Sequence, residues 1–597
     1  MSFDASIRAK QLNPDVLNRE LLSKIDIGYR KMLERDSSLL PLPHEKVPEP
    51  TIYKHGIPSS VMSIGSTILE GDSFLLETHR LTTWLKSFLS PLLGPWKMAK
   101  LINTERSLLI RTSNLRLIAK HISIKNPLGQ VILGAGLNMS KTLGDHSVYT
   151  ALLATMIVDN CVKAMLRGLV NAVDCIEGLR ILYEVYGKIL ERCKVSNPLT
   201  NEKELVKMAK IGDSLNGEKL IDLSLKIANI IPTEILRQKA PSEIIDFRTM
   251  ESTSIDESEV INGLALPKEI PHQSLPSRIE DARIAILKGG LTLPDYLGRS
   301  YKFRYIWNEQ EEMSKSLRNK TIFLREFIND VLATGANVII VEKGVDESVL
   351  RVLIERRCML LRGLSPPEIE ELAEASGARP VPCFHDLGPD DLGYAKSVEA
   401  LKFNGKEWVF FRDCRYPRRV TVLIKGNSFT VNQDFEECLR EVITYIGVIR
   451  DSPFFVPGGG AIEIEIANQL MSMSEVSRGR VSISLKVMAE AFEQIVALLA
   501  YNNGLDPLET ITRLRMEHWS GNKMVGVGGK ILDSFDVKRA AIENAIYAAN
   551  TILRINSFIR GKPRSESEIY YIKRTRGLSK EKKKEMRRDY SLESLEI

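Results

Sequence analysis

Between residues 59 and 93 apolar side chains return every three or four positions, at Ile68, Leu69, Phe74, Leu75, Leu81, Trp84 and Leu85. The run stops on Leu93-Gly94-Pro95, so the pattern predicts one long helix closed by helix-breaking residues. Helix-forming stretches rich in alanine, leucine and valine follow from 143 to about 193. The alternation of Ala282, Ile284 and Ile286 predicts a strand, and the unbroken run ANVIIVEKG at 336–344 predicts one buried on both faces. Residues 307–331 read as a helix through Leu317, Phe323, Leu324, Phe327, Ile328 and Val331. A second strong apolar face joins Val487, Met488, Phe492, Ile495, Val496 and Leu499. Asp506, Pro507 and Glu509 mark the start of another helix, with a capping carboxylate, a proline in the first turn and an acid three positions on. The first 60 residues differ. A short helix near 14–34 gives way to LLPLPHEKVPEP, and we read this leader as a flexible or loosely docked extension.

At 597 residues the chain is too long for one core. With 44% hydrophobic and 26% charged residues it has the composition of a soluble globular protein, and a net charge of +6 does not by itself imply a nucleic-acid partner. No uninterrupted apolar run of about 18 residues predicts a membrane span, and MSFDASIRAK lacks the apolar core of a signal peptide. The seven cysteines are widely spaced without a CxxC pair, which favours buried or idle thiols in a reducing compartment over a metal site. The tail from 561 carries KEKKKEMRR. It is read as solvated, with a basic arm for RNA or acidic partners as the alternative.

Candidate chemistry centres on VPGGGA, residues 456–461. Three consecutive glycines are conformationally costly, and the helical AIEIEIANQL that follows would gather amide N–H groups and a positive dipole end where they sit. A phosphorylated ligand fits such a place, and so does a tight loop entering a helix for packing alone. No Walker A motif is present, since Gly529-Lys530 runs into Ile531 without the upstream glycine.

GGGA together with NNGLDP at 502–507 and GNK at 521–523 resembles the group II chaperonins, the thermosome and TCP-1 family. Residues 275–290, 334–346, 418–428 and 531–555 extend the resemblance to about 500 residues. It implies an α+β multidomain chaperonin fold in which a mostly helical equatorial domain is built from 61–195 and 441–560. An intermediate domain comes from 196–264 and 412–440. An α/β apical domain with a helical protrusion spans 265–411, and 1–60 and 561–597 remain as extension and tail. The protrusion falls near 307–324, with Arg318-Asn319-Lys320 where the family has an acidic run; Met313, Leu317 and Phe323 are its candidate client-binding residues.

The resemblance also implies ATP and magnesium as cofactors, but on an eroded site. Gly94, Pro95 and Lys100 remain of one motif, while Lys97 and Ala99 replace its second glycine and its aspartate. Ser113-Asn114-Leu115 stands where an Asn-Asp-Gly turn touches phosphate. Gly144 and Asp145 persist, yet His146, Val148 and Tyr149 replace a glycine and two threonines. Asp145 reads either as the magnesium ligand or as a helix N-cap. Glu441 falls where an aspartate activates the attacking water; one extra methylene displaces its carboxylate by about 1 Å, and a helix-surface glutamate is the alternative. Asp533 falls at the ribose contact, beside Gly458, Gly459 and Gly460. The implied function is a thermosome-like subunit that binds non-native proteins in a homo- or hetero-oligomeric cytoplasmic ring, at most a weak ATPase. Its rival is a non-hydrolysing structural or adaptor protein on the same fold.

Overall fold

The computed structural model describes residues 67–560 apart from 104–108, 123, 125, 197–216, 232–244, 252–253, 292–321, 323–324, 327, 383–386, 404, 416–419 and 530. The leader, the tail and the client-binding candidates Met313, Leu317 and Phe323 lie outside the described residues.

Two units divide the chain, 1–73 with 557–597, and 74–556. In the first, β1 (Thr67–Glu70) pairs antiparallel with β16 (Ser557–Arg560). This corrects the single long helix expected from 59: Ile68 and Leu69 belong to β1. Gly71, at φ +56°, turns the chain before α1 (Gly71–Leu89) continues.

In the second unit, a helical body is assembled from both ends of the sequence. Its early part is α1, α3 (Pro127–Thr142), α4 (Ser147–Leu166) and α5 (Ala172–Arg192). Its late part is α10 (Ala461–Val476), α11 (Arg480–Asn502), α12 (Pro507–Trp519) and α13 (Phe535–Leu553). α4 packs against α3, α11 and α13 and is apolar nearly all round, as a helix surrounded by protein must be. Among the described residues it is the one helix whose length and hydropathy would also suit a bilayer, but 89% of that stretch is buried in the body. The apolar face expected on α11 is buried at Val487, Met488, Phe492, Ile495 and Val496.

The largest sheet runs β10-β9-β8-β11-β12-β7. β10 (Met359–Arg362), β9 (Val338–Val341) and β8 (Arg278–Leu287) are parallel, whereas β8, β11 (Gly393–Phe403), β12 (Lys406–Cys414) and β7 (Gly263–Leu266) are antiparallel. The continuous apolar run of β9 has a simple cause. Val338 and Ile340 join one core with Ile369 and Leu372 of α8 (Pro366–Ser376), while Ile339 and Val341 join the opposite core with Val349 and Leu353 of α7 (Glu347–Glu355).

A second sheet, β5 (Ile245–Glu251), β13 (Val420–Gly426) and β6 (Glu259–Ile261), leads from β13 into α9 (Phe429–Asp451), against which α6 (Gly217–Ile230) packs. A hairpin of β2 (Lys100–Asn103) and β3 (Leu109–Thr112) precedes α2 (Leu115–His121). Finally β4 (Val195–Ser196) and β15 (Leu532–Ser534) flank β14 (Phe454–Pro457), the strand that ends on the three glycines.

Candidate functional site

The register of β14 against β15 sets Asp533 opposite Val456, so the carboxylate reaches the glycine loop that follows the strand. A Cβ on Gly458 would stand 2.9 Å from the Asp533 carboxyl carbon. Gly459 and Gly460 hold φ of +63° and +88°, a region that L side chains enter only under strain. The loop is lined by the chain itself: the Gly458 N–H donates to the Ile531 carbonyl at 2.7 Å, and the Val527 N–H donates to the Gly459 carbonyl at 2.6 Å.

The turn between α3 and α4 reaches the same place. Gly144, at φ +73°, lies so close to α9 that a Cβ would come within 2.1 Å of the Glu441 carbonyl oxygen. His146 follows at φ +58° and stands as the residue before α4. Its ring joins two carboxylates, Nδ1 lying 3.1 Å from Asp145 Oδ2 and Nε2 lying 3.5 Å from Asp533 Oδ2. Lys538 of α13 reaches the same Asp533 oxygen at 3.3 Å and Glu463 Oε1 of α10 at 2.6 Å. Tyr149, one turn into α4, sits edge-on to His146 with centroids 5.3 Å apart, and the Lys538 ammonium lies 4.3 Å from its ring centre.

Three carboxylates and two cations thus largely neutralise one another. Burial alone would lower the His146 pKa, but the Asp145 charge and its hydrogen bonds to Asp145 and Asp533 lift it to about 9. Burial pushes Asp533 the other way, and Lys538 with His146 hold it down at about 2. Tyr149 is raised well above the usual phenol range by burial and by the neighbouring Glu463 charge.

Asp145, Asp533, Gly144 and Gly458 to Gly460 therefore come together, although the predicted motifs lie far apart in sequence. Gly94, at φ +94°, turns the chain ahead of Pro95; a Cβ there would stand 3.5 Å from Leu499, the side chain that a Cβ on Gly460 would meet at 3.6 Å. Two alternatives are corrected. Asp145 is not the N-cap of α4, because His146 occupies that position and takes the Asp145 carboxylate as its partner. Glu441 is not on the helix surface: it is buried, and its Oε1 accepts a hydrogen bond from Ser140 Oγ at 2.6 Å. Asn114 caps α2 by accepting from the Arg116 and Leu117 N–H groups. Sequence reasoning missed Lys538, Glu463 and Ser140. The signal for Glu463 was the alternation of two glutamates, Glu463 and Glu465, with isoleucines at the start of α10, which does not tell the buried one from its neighbour.

These residues, as arranged, do not fit a magnesium–triphosphate. Asp145 and Asp533 are engaged by His146 and Lys538, Glu441 is held by Ser140, and the Gly458 N–H is satisfied by Ile531. Among the described residues no group of three or more His, Cys, Asp and Glu side chains is disposed to hold a metal ion.

Comparison with known proteins gives a consistent likeness along most of the chain. The profile of the TCP-1/cpn60 chaperonin family matches residues 85–563, a span that takes in the helical body apart from most of α1, both larger sheets and the charged cluster. A thermosome subunit of Methanopyrus kandleri is 26% identical over 491 residues, covering 79% of this chain and 89% of the relative. Thermosome subunit beta of Sulfurisphaera tokodaii is 28% identical over 538 residues, covering 86% and 96%. Thermosome subunit alpha of Aeropyrum pernix is 26% identical over 529 residues, covering 84% and 94%, so the likeness is to whole subunits rather than to one shared domain.

Proposed function

This chain belongs to the TCP-1/cpn60 chaperonin family, and from that premise we propose that it works as a thermosome-like group II subunit that binds non-native proteins and assists their folding, with nucleotide weakly held and hydrolysis impaired. In this reading the helical body is the equatorial domain, the β5-β13-β6 sheet with α6 and α9 the intermediate domain, and the six-stranded sheet the apical domain. Clients dock at apolar side chains of the protrusion, Met313, Leu317 and Phe323, because unfolded chains present apolar surface. The subunit works in a homo- or hetero-oligomeric ring in the cytoplasm.

One observation carries the nucleotide half of this proposal: Asp145 and Asp533 are both partnered by His146. Each charge-assisted contact withheld from a ligand is worth about 1.5–3 kcal/mol, so losing several lowers affinity by orders of magnitude. Phosphate release by the isolated chain is expected near background, and Glu441→Asp alone is expected to leave it there, since the other side of the site is unchanged. Robust magnesium-dependent hydrolysis that Asp145→Ala abolishes would overturn this. For the folding half, the purified chain is expected to suppress aggregation of a chemically denatured test protein. Failure there, with an intact particle, favours the adaptor reading, which the same self-neutralised cluster also supports.

A further inference from the structure

We propose that Tyr183 and Tyr547, two exposed phenols on helices from the early and late parts of the helical body, form an oxidative cross-linking site. A one-electron oxidant couples their rings into a dityrosine, with Glu543 taking up the Tyr183 proton. The pair shares no residue with the charged cluster. Its basis is ring geometry, exposure and a positioned base.

α5 packs along α13 and brings the two rings to 6.0 Å between centroids, their planes inclined by 52°. Tyr183 is 40% exposed and Tyr547 51%, so a small oxidant can reach both, as coupling requires. Tyr186 meets Tyr183 edge-on at 5.4 Å, but it is buried at 3% and an oxidant at the surface does not reach it. The Tyr183 hydroxyl donates to Glu543 Oε1 at 3.1 Å. A hydrogen bond with Tyr547, then the bond to Glu543 and its charge, raise this phenol above the usual range. The hydroxyl ends of the two rings therefore meet, and the carbons ortho to each hydroxyl, where a tyrosyl radical is reactive, are brought side by side. Hydrogen peroxide, acting through a haem peroxidase, is the oxidant class the step requires. Each ring gives up one electron and its phenolic proton, that of Tyr183 passing through Glu543 to solvent, and the peroxide takes up two electrons and two protons to become two waters. The two radicals then form one carbon–carbon bond, and each coupled carbon loses its hydrogen as the oxygen regains one, which restores both phenols.

The test is brief treatment of the full-length chain with hydrogen peroxide and a haem peroxidase, then trypsin and mass spectrometry on the band that remains monomeric in a denaturing gel. The expected product is a cross-linked pair of the peptides 181–188 and 540–554, lighter than their sum by two hydrogen atoms and carrying dityrosine fluorescence. Tyr183→Phe and Tyr547→Phe should each abolish it, whereas Tyr186→Phe should leave it in place. Glu543→Gln should slow its formation several-fold. The oxidised parent should unfold at a higher urea concentration than the untreated chain, because the link restricts the unfolded state, and oxidised Tyr547→Phe should not. Dityrosine found only between copies or at other tyrosines, a cross-linked peptide that survives Tyr547→Phe, or no cross-link in a parent chain of unchanged circular dichroism would overturn the proposal. A Glu543→Gln chain that couples as fast as the parent would overturn the role given to that carboxylate.

Discussion

Asp159 shows what one carboxylate does inside an otherwise apolar helix. It is buried at 1% exposure in α4 and is reached by His79 Nδ1 at 2.7 Å, Thr82 Oγ1 at 2.8 Å and Lys163 Nζ at 2.7 Å. The carboxylate only accepts, so the His79 nitrogen is the donor and the contact pins α1 to α4. Burial alone would raise the Asp159 pKa, but the hydrogen bond from His79, then the Lys163 charge and the bond from Thr82, bring it down to about 2. A carboxyl depressed on folding stabilises the protein above its unfolded value near 3.9, and that contribution fades as pH falls toward 2. The network is worth about 2 kcal/mol at neutral pH by this route. Urea midpoints measured from pH 5 to pH 2 should fall for the parent chain and fall less for Asp159→Asn. At pH 7 that variant should be destabilised by about 3 kcal/mol, since Lys163 and His79 lose their charged partner.

At the scale of elements, the same residue type has opposite consequences in two neighbouring positions. Gly144 links α3 to α4 at φ +73° against the α9 backbone, so Gly144→Ala should destabilise by about 2 kcal/mol or more in chemical denaturation. Gly134, within α3, faces open space, and Gly134→Ala should stabilise by about 0.5–1 kcal/mol. Local signals of this kind were legible in the chain alone. The Asp506 cap of α12, the two-sided burial of β9 and the apolar face of α11 each follow from residues a few positions apart. What escaped was non-local. The resemblance placed Asp533 with Asp145 and the three glycines, but nothing near His146 announces its contact with Asp533, which strand pairing delivers from the far end of the sequence, and nothing near Lys538 announces Glu463. Ile68 and Leu69 were misread as helical because two apolar residues cannot declare a period, and their strand partner lies at 558–559.

For the molecule as a whole, family membership and the intact helical body lead us to expect a ring-shaped particle by electron microscopy, from the chain alone or together with other chaperonin subunits. A strictly monomeric species, both at high concentration and in its native extract, would count against assembly. With nucleotide weakly held, magnesium–ATP should leave the particle's outline unchanged, and a large change would contradict that reading. The layout of the helical body also bears on how the chain is made. α4 is finished early in synthesis, but its cover includes α11 and α13, which emerge only as the ribosome nears Leu553. At about 5–20 residues per second that leaves roughly 20–80 s during which a helix apolar enough for a bilayer stands without its late partners. Each nascent copy therefore leaves the apolar face of α4 incompletely covered for most of its own translation, a window in which aggregation competes with folding.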